Sequence, residues 1–148
     1  SMVGSSMNRV LSKAVLAVSG ALLGGVGVSL LFAPRAFLGI NHIHVAPPNP
    51  SLLSEVSAPG GFLIIIATLM ILGSIKDRFT NLALVAGALV YGSYGVSRLI
   101  SMTINGLPAN SLIVATFFEL SVAGILVTLK MKPHSTRNSA AAAFAEMK

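Results

Sequence analysis

Four long apolar runs constrain what this chain can fold into more than any other feature. Residues 14–33 (AVLAVSGALLGGVGVSLLFA) carry no charge, and neither do residues 59–75 (PGGFLIIIATLMILGSI). Residues 82–104 contain one charge, Arg98, and residues 111–129 contain one, Glu119. A helix that crosses the ~30 Å hydrocarbon core of a bilayer needs roughly 20 apolar residues. The runs meet or approach that length, and Pro59 suits the first turn of the second helix. The sequence therefore predicts an all-α fold, an integral-membrane up-and-down bundle of four transmembrane helices, in one domain over residues 7–132. Ser1 to Ser6 reads as an expression scar ahead of a second methionine, Met7. Residues 133–148 read as a cytoplasmic tail, polar and then Ala-rich, able to form a short helix.

Composition agrees. Charged residues make up 9% of the 148 residues and hydrophobic residues 54%, whereas a soluble domain carries about a quarter of its residues as charges. Fourteen charges cannot cover a water-exposed surface of this size, which excludes a soluble monomer. There is no cysteine, so disulfides, thiolate catalysis and Cys-ligated metals are excluded. The first run exceeds the roughly 7–15 residues of a signal-peptide core, and no small-x-small cleavage site follows it, so it reads as a retained helix.

The net charge of +6 is a topology signal. With the N-terminus in the cytoplasm, that side receives Arg9, Lys13, Lys76, Arg78, Lys130, Lys132, Arg137 and Lys148, and the opposite side receives only Arg35. The bias places both termini in the cytoplasm and favours anionic headgroups there. A nucleic-acid partner is not expected, because no basic face with interleaved aromatic residues lies outside the membrane flanks.

Arg98 and Glu119 carry the most information. An ionisable group inside a bilayer costs at least ~3 kcal/mol and normally faces the bundle interior or a wet cavity. Arg98 lies roughly 9 Å below the outer end of the third helix and Glu119 roughly 12 Å below the outer end of the fourth. The short turn NGLPAN makes these helices antiparallel neighbours, so the two charges sit at matching depth. Tyr91, Tyr94, Arg98, Ser101 and Asn105 recur at close to the heptad period and form one polar stripe. Thr116 lies one turn from Glu119. Gly20, Gly24 and Gly27 on the first helix, with Ala83 and Gly87 on the third, permit close helix approach. This seam reads as structural glue that holds helices in register, as a half-buried pocket for a small polar or amphipathic ligand, or, third, as a proton or ion relay, for which one acid and one Arg make a thin chain. In the second reading Arg98 holds an anionic or carbonyl group and Glu119 orients Arg98.

Residues 35–58 form a long outer loop, of the kind that is functional or disordered. Glu55 lies just before the second helix, where it either complements the helix dipole or caps the seam and shares Arg98. His42 and His44 stand two residues apart, and two histidines with no adjacent Cys or Asp make a weak metal site. His134 reads as solvated. Nucleophile motifs, phosphate-cradling Gly loops and paired catalytic carboxylates are absent, and no cofactor is implied.

The segments Glu55-Val56-Ser57-Ala58-Pro59-Gly60-Gly61, Ser97-Arg98-Leu99-Ile100-Ser101 and Asn105-Gly106-Leu107-Pro108, followed by Glu119, resemble the bacterial family called domain of unknown function 4345. Its pattern has an acid ahead of a Gly-Gly pair, an Arg-Leu-x-Ser run before an Asp-Gly-x-Pro turn, and a Glu in the last helix. This chain departs from it at Ser57 and Pro59, where members often have Arg and Tyr, and at Asn105, which replaces Asp. The resemblance implies a small four-helix membrane protein in which Arg98, Glu119, Glu55 and Asn105 matter together, and it implies no reaction. The leading expectation is a non-enzymatic protein of the bacterial inner membrane whose outer-facing seam binds or passes a small molecule or lipid, with Arg98, Glu119, Glu55, Tyr91, Tyr94, Ser101, Asn105 and Thr116 as its ligand-binding residues. The alternative is an accessory or scaffold subunit of a larger membrane complex or homo-oligomer, with a purely structural pair. An enzyme acting on a lipid or quinone ranks third.

Overall fold

The computed structural model describes residues 2–45, 49–132 and 145–146. Helix α1 (Met2–Phe32) is followed by the short α2 (Pro34–Ile40), then by α3 (Pro50–Ile75), α4 (Asp77–Asn105) and α5 (Asn110–Met131). No strand occurs among the described residues. Among them, α1, α3, α4 and α5 are long and apolar enough to cross a membrane. Many of the apolar side chains on these helices face outward: Ile65, Leu89 and Phe117 are 67%, 67% and 68% exposed. So large a continuous apolar exterior requires lipid or a partner around it.

The helices extend beyond the apolar runs that announce them. The second was expected to open at Pro59, but α3 begins at Pro50, and Pro59 lies inside it. Its start is set by Asn49, whose side-chain Oδ1 accepts a hydrogen bond from the Leu52 N–H at 3.1 Å, with Pro50 in the first turn. The long loop expected over residues 35–58 is correspondingly divided. Pro34 starts α2, and Asn41-His42 turns the chain, with His42 in the left-handed region at φ 61°. Glu55 therefore stands within α3, exposed, and not ahead of it. Helix α4 starts at Asp77, and only Lys76 separates it from α3. Apart from residues 145–146, the tail helix expected over the Ala-rich segment lies outside the described residues.

Two sets of contacts define the ends of the bundle. At one end the Lys13 ammonium meets the Asp77 carboxylate at 2.8 Å, and Lys132 Nζ donates to Asn8 Oδ1 at 3.4 Å. The start of α1, the α3–α4 turn and the end of α5 thus lie together. At the other end Ser111 Oγ donates to Asn41 Oδ1 at 2.8 Å, while Asn41 Nδ2 donates back to the Phe37 carbonyl. That contact fastens the end of α2 to the start of α5.

The closest helix approach is between α1 and α3. A Cβ added at Gly27 would fall 2.8 Å from the Gly60 carbonyl oxygen, and one at Gly60 would fall 2.6 Å from that of Gly27. Backbones this near exclude any side chain, which is how small residues drive packing where lipid weakens the hydrophobic term. Gly73 accepts the Ala83 methyl group in direct contact, and Gly87 leaves room for Met70 and Leu126. The fully buried Leu16, Leu63, Met70, Leu84 and Leu126 fill the centre.

Gly27→Ala is expected to lower stability by about 1–3 kcal/mol, because the new methyl group meets rigid backbone. Gly25→Ala, whose Cβ meets nothing within 4 Å, should cost nothing. Unfolding titrations of both variants in mixed detergent micelles test this, and equal stabilities would refute the close crossing.

Candidate functional site

The short connection from Gly106 to Ala109 returns α5 alongside α4, with Gly106 at φ 90°. This brings two ionisable side chains from the middle of apolar helices into contact. Arg98 Nε donates to both carboxylate oxygens of Glu119, at 3.0 and 3.2 Å. The side chains are 29% and 14% exposed, respectively. The contact is unusual in form, because an Arg–carboxylate pair commonly uses two parallel N–H bonds of the fork. Here a single nitrogen serves both oxygens, and the two terminal amino groups of Arg98 have no hydrogen-bond partner among the described residues. Nor are they sealed in the core, since among the described residues no fully buried side-chain nitrogen or oxygen lacks a partner.

Two tyrosines flank the pair and play different parts. The Tyr91 hydroxyl donates to the Ser19 carbonyl oxygen at 2.5 Å, tying α4 to α1. Its ring meets Phe118 edge-on at 6.2 Å between centroids. The Tyr94 ring lies beneath the guanidinium, with Cζ 5.8 Å from the ring centroid, within cation–π range. The Tyr94 hydroxyl has no hydrogen-bond partner among the described residues.

Tyr91, Tyr94, Arg98 and Glu119 line a cavity of about 300 Å³ between the long helices. The remaining wall is apolar: Leu23 and Leu30 from α1, Phe37 from α2, Val56 and Leu63 from α3, and Phe118 from α5 are among its residues. Pro59 also faces this space. Lacking an N–H, it leaves the Glu55 carbonyl without its usual helical donor.

The other expected site residues lie elsewhere. Ser101 shares with Arg98 a smaller pocket of about 110 Å³ near the α4–α5 connection, together with Gly106 and Pro108. Asn105 donates to Ser101 Oγ at 3.3 Å on exposed surface. Thr116 is buried, and its hydroxyl donates to the Leu112 carbonyl of its own helix at 2.8 Å. Glu55 does not line the cavity. Among the described residues no three His, Asp or Glu side chains are placed to hold a metal ion, and His42 and His44 are both exposed. The apolar wall from α1, α2 and α3 was not anticipated. Its one legible signal is the helical spacing of Val56, Pro59 and Leu63.

Residues 11–130 match the model of the family described as Domain of unknown function (DUF4345), and the chain belongs to that family. No curated protein and no solved structure matches it.

Truncating one partner of the pair leaves an uncompensated charge among apolar helices. Glu119→Ala or Arg98→Ala alone should each cost roughly 3 kcal/mol, and the double variant should cost less than their sum. A double-mutant cycle of unfolding in detergent measures the difference. Strict additivity would show that the two side chains do not interact.

Proposed function

We propose that this member of the family is a multi-pass protein of the bacterial inner membrane that binds or passes a small amphipathic molecule or lipid. Its apolar body occupies the central cavity, and its polar head is held by Arg98. The observation that carries this reading is an apolar cavity lined by Arg98 and Tyr94, whose terminal amino groups and hydroxyl have no hydrogen-bond partner among the described residues. Guanidinium N–H groups left unpaired at membrane depth are costly unless water or a ligand accepts their hydrogen bonds. A cavity near 300 Å³ lies at the lower end of the range that holds small ligands. Glu119 then acts as a positioning residue, holding the guanidinium through Nε so that its other nitrogens face the cavity.

Orientation follows from charge. Arg9, Lys13, Lys76, Arg78, Lys130 and Lys132 flank the bundle end where Lys13 meets Asp77, and the positive-inside rule puts that end in the cytoplasm. Both termini are then cytoplasmic, and the Arg98 end of the cavity lies toward the outer side.

A scaffold role requires only the pair itself, since Arg98–Glu119 joins α4 to α5 and Tyr91 joins α4 to α1. Exchanging the charges separates the two readings. The R98E/E119R variant keeps an ion pair while moving the free donors to another helix, and Arg98→Lys keeps the charge but lacks the fork. Both variants are expected to retain the melting temperature in detergent within a few degrees and to lose bound lipid, measured by native mass spectrometry after purification from membranes. Full lipid retention in both variants overturns the ligand reading.

A further inference from the structure

The cavity wall and the charge balance of the pair narrow the ligand's class, on the premise that the cavity is a binding site. We propose that the occupant is an uncharged, carbonyl-bearing amphiphile with a single apolar tail, and that it enters sideways from the bilayer between α1 and α5.

The route is set by the exposed lining residues. Leu22 and Val26 of α1 and Phe118 of α5 line the cavity and are 48%, 39% and 43% exposed, so the cavity has an opening on the flank of the bundle between these helices, beside the exposed Pro59 of α3. Phe118 also lines a second apolar groove of about 280 Å³, with Ala14 and Val18 of α1. Along α1 the positions Ala14, Val18, Leu22 and Val26 recur every four residues and form one continuous face. They extend over roughly 18 Å at 1.5 Å per residue. One extended hydrocarbon chain fits this track. The cavity at its upper end is too small for the body of a two-tailed lipid.

The head group follows from electrostatics. Glu119 already neutralises Arg98 at 3.0 Å. An anion held by the terminal amino groups would leave the site with a net negative charge in a medium that screens it poorly. A carbonyl oxygen, with two lone pairs, accepts from a guanidinium N–H and from the Tyr94 O–H without adding charge. The free groups are donors only or, for the tyrosine, donor and acceptor, which matches an ester or ketone oxygen. The opposite preference belongs to a site in which Glu119 carries no charge, because there the guanidinium is unbalanced.

Monoolein and oleate share a tail and differ in head charge, so they test the assignment directly. Competition between them for the detergent-purified protein, at a pH where oleate is ionised and read by native mass spectrometry, should favour monoolein by about tenfold, equivalent to about 1.4 kcal/mol. Glu119→Gln should reverse the order. Val26→Trp, which fills the mouth, should abolish binding of both, while Val28→Trp on another exposed face of α1 should leave it intact. Preference of the unmodified protein for oleate overturns the charge assignment but leaves the cavity reading standing. Binding of neither amphiphile overturns both. Unchanged binding in Val26→Trp overturns the lateral route, and that result does not depend on how the Glu119 variant folds.

Discussion

A guanidinium placed among four apolar helices must be neutralised close by, and much of the bundle's arrangement follows from that requirement. The burial cost of the Arg98 charge is at least ~3 kcal/mol in lipid, and Glu119 meets it only if α4 and α5 are locked in one register. The tight Gly106–Ala109 connection makes that register reachable. Tyr91, two turns before Arg98 on the same helix, then reaches the Ser19 carbonyl and brings in α1. The polar contacts are few, but they link α4 to α5, α4 to α1 and the end of α2 to α5, and together they restrain the bundle where lipid provides no hydrophobic drive for association.

Packing in the rest of the bundle is asymmetric, and the asymmetry accounts for the cavity. On the side of α1 that faces α3, glycines bring the two backbones nearly into contact at Gly27 and Gly60. On the side that faces α5, the chain presents Leu22 and Val26 opposite Phe118. Bulky side chains there hold the helices apart, and α1 makes far less contact with α5 than with α3. Space therefore remains beside α5 at the depth of the ion pair, and Arg98 and Glu119 line it. The same tight α1–α3 crossing that stabilises one half of the bundle leaves the other half open.

The membrane-crossing character and the all-helical fold were legible because apolar runs of bilayer length have few alternatives. Helix ends were less so. Hydropathy reports which residues sit in hydrocarbon, whereas a helix continues wherever its hydrogen bonds are made. Ser54, Glu55 and Ser57 dilute the hydropathy of α3, yet Asn49-Pro50 had already started that helix. The matching depth of Arg98 and Glu119 could be read from helical rise alone, and the two side chains do meet. The heptad stripe was informative as far as Arg98 and no further, since Ser101 and Asn105 lie toward the exposed end of α4. Thr116 illustrates another limit: a hydroxyl in a helix can bond to the carbonyl four residues earlier, and then has no proton left to donate to a neighbour. Beyond the spacing of Val56, Pro59 and Leu63, the apolar wall was illegible for a simpler reason. A leucine that lines a cavity and a leucine that faces lipid look the same in sequence.

The choice of arginine at position 98 follows from the double duty that geometry imposes there. One face of the side chain must hold Glu119, and the opposite face must border the cavity. A lysine ammonium concentrates its charge and donors at one point, so pairing with Glu119 would draw it away from the open space. The guanidinium spreads its donors over a planar fork. Nε engages the carboxylate, Cζ rests over the Tyr94 ring, and the terminal nitrogens have no hydrogen-bond partner among the described residues. Arg98 also borders the small pocket beside Ser101, Gly106 and Pro108, so it separates an apolar chamber from a more polar end of the bundle. A planar, charge-delocalised group is suited to that boundary, because it can be satisfied by a carboxylate on one side while remaining a donor on the other.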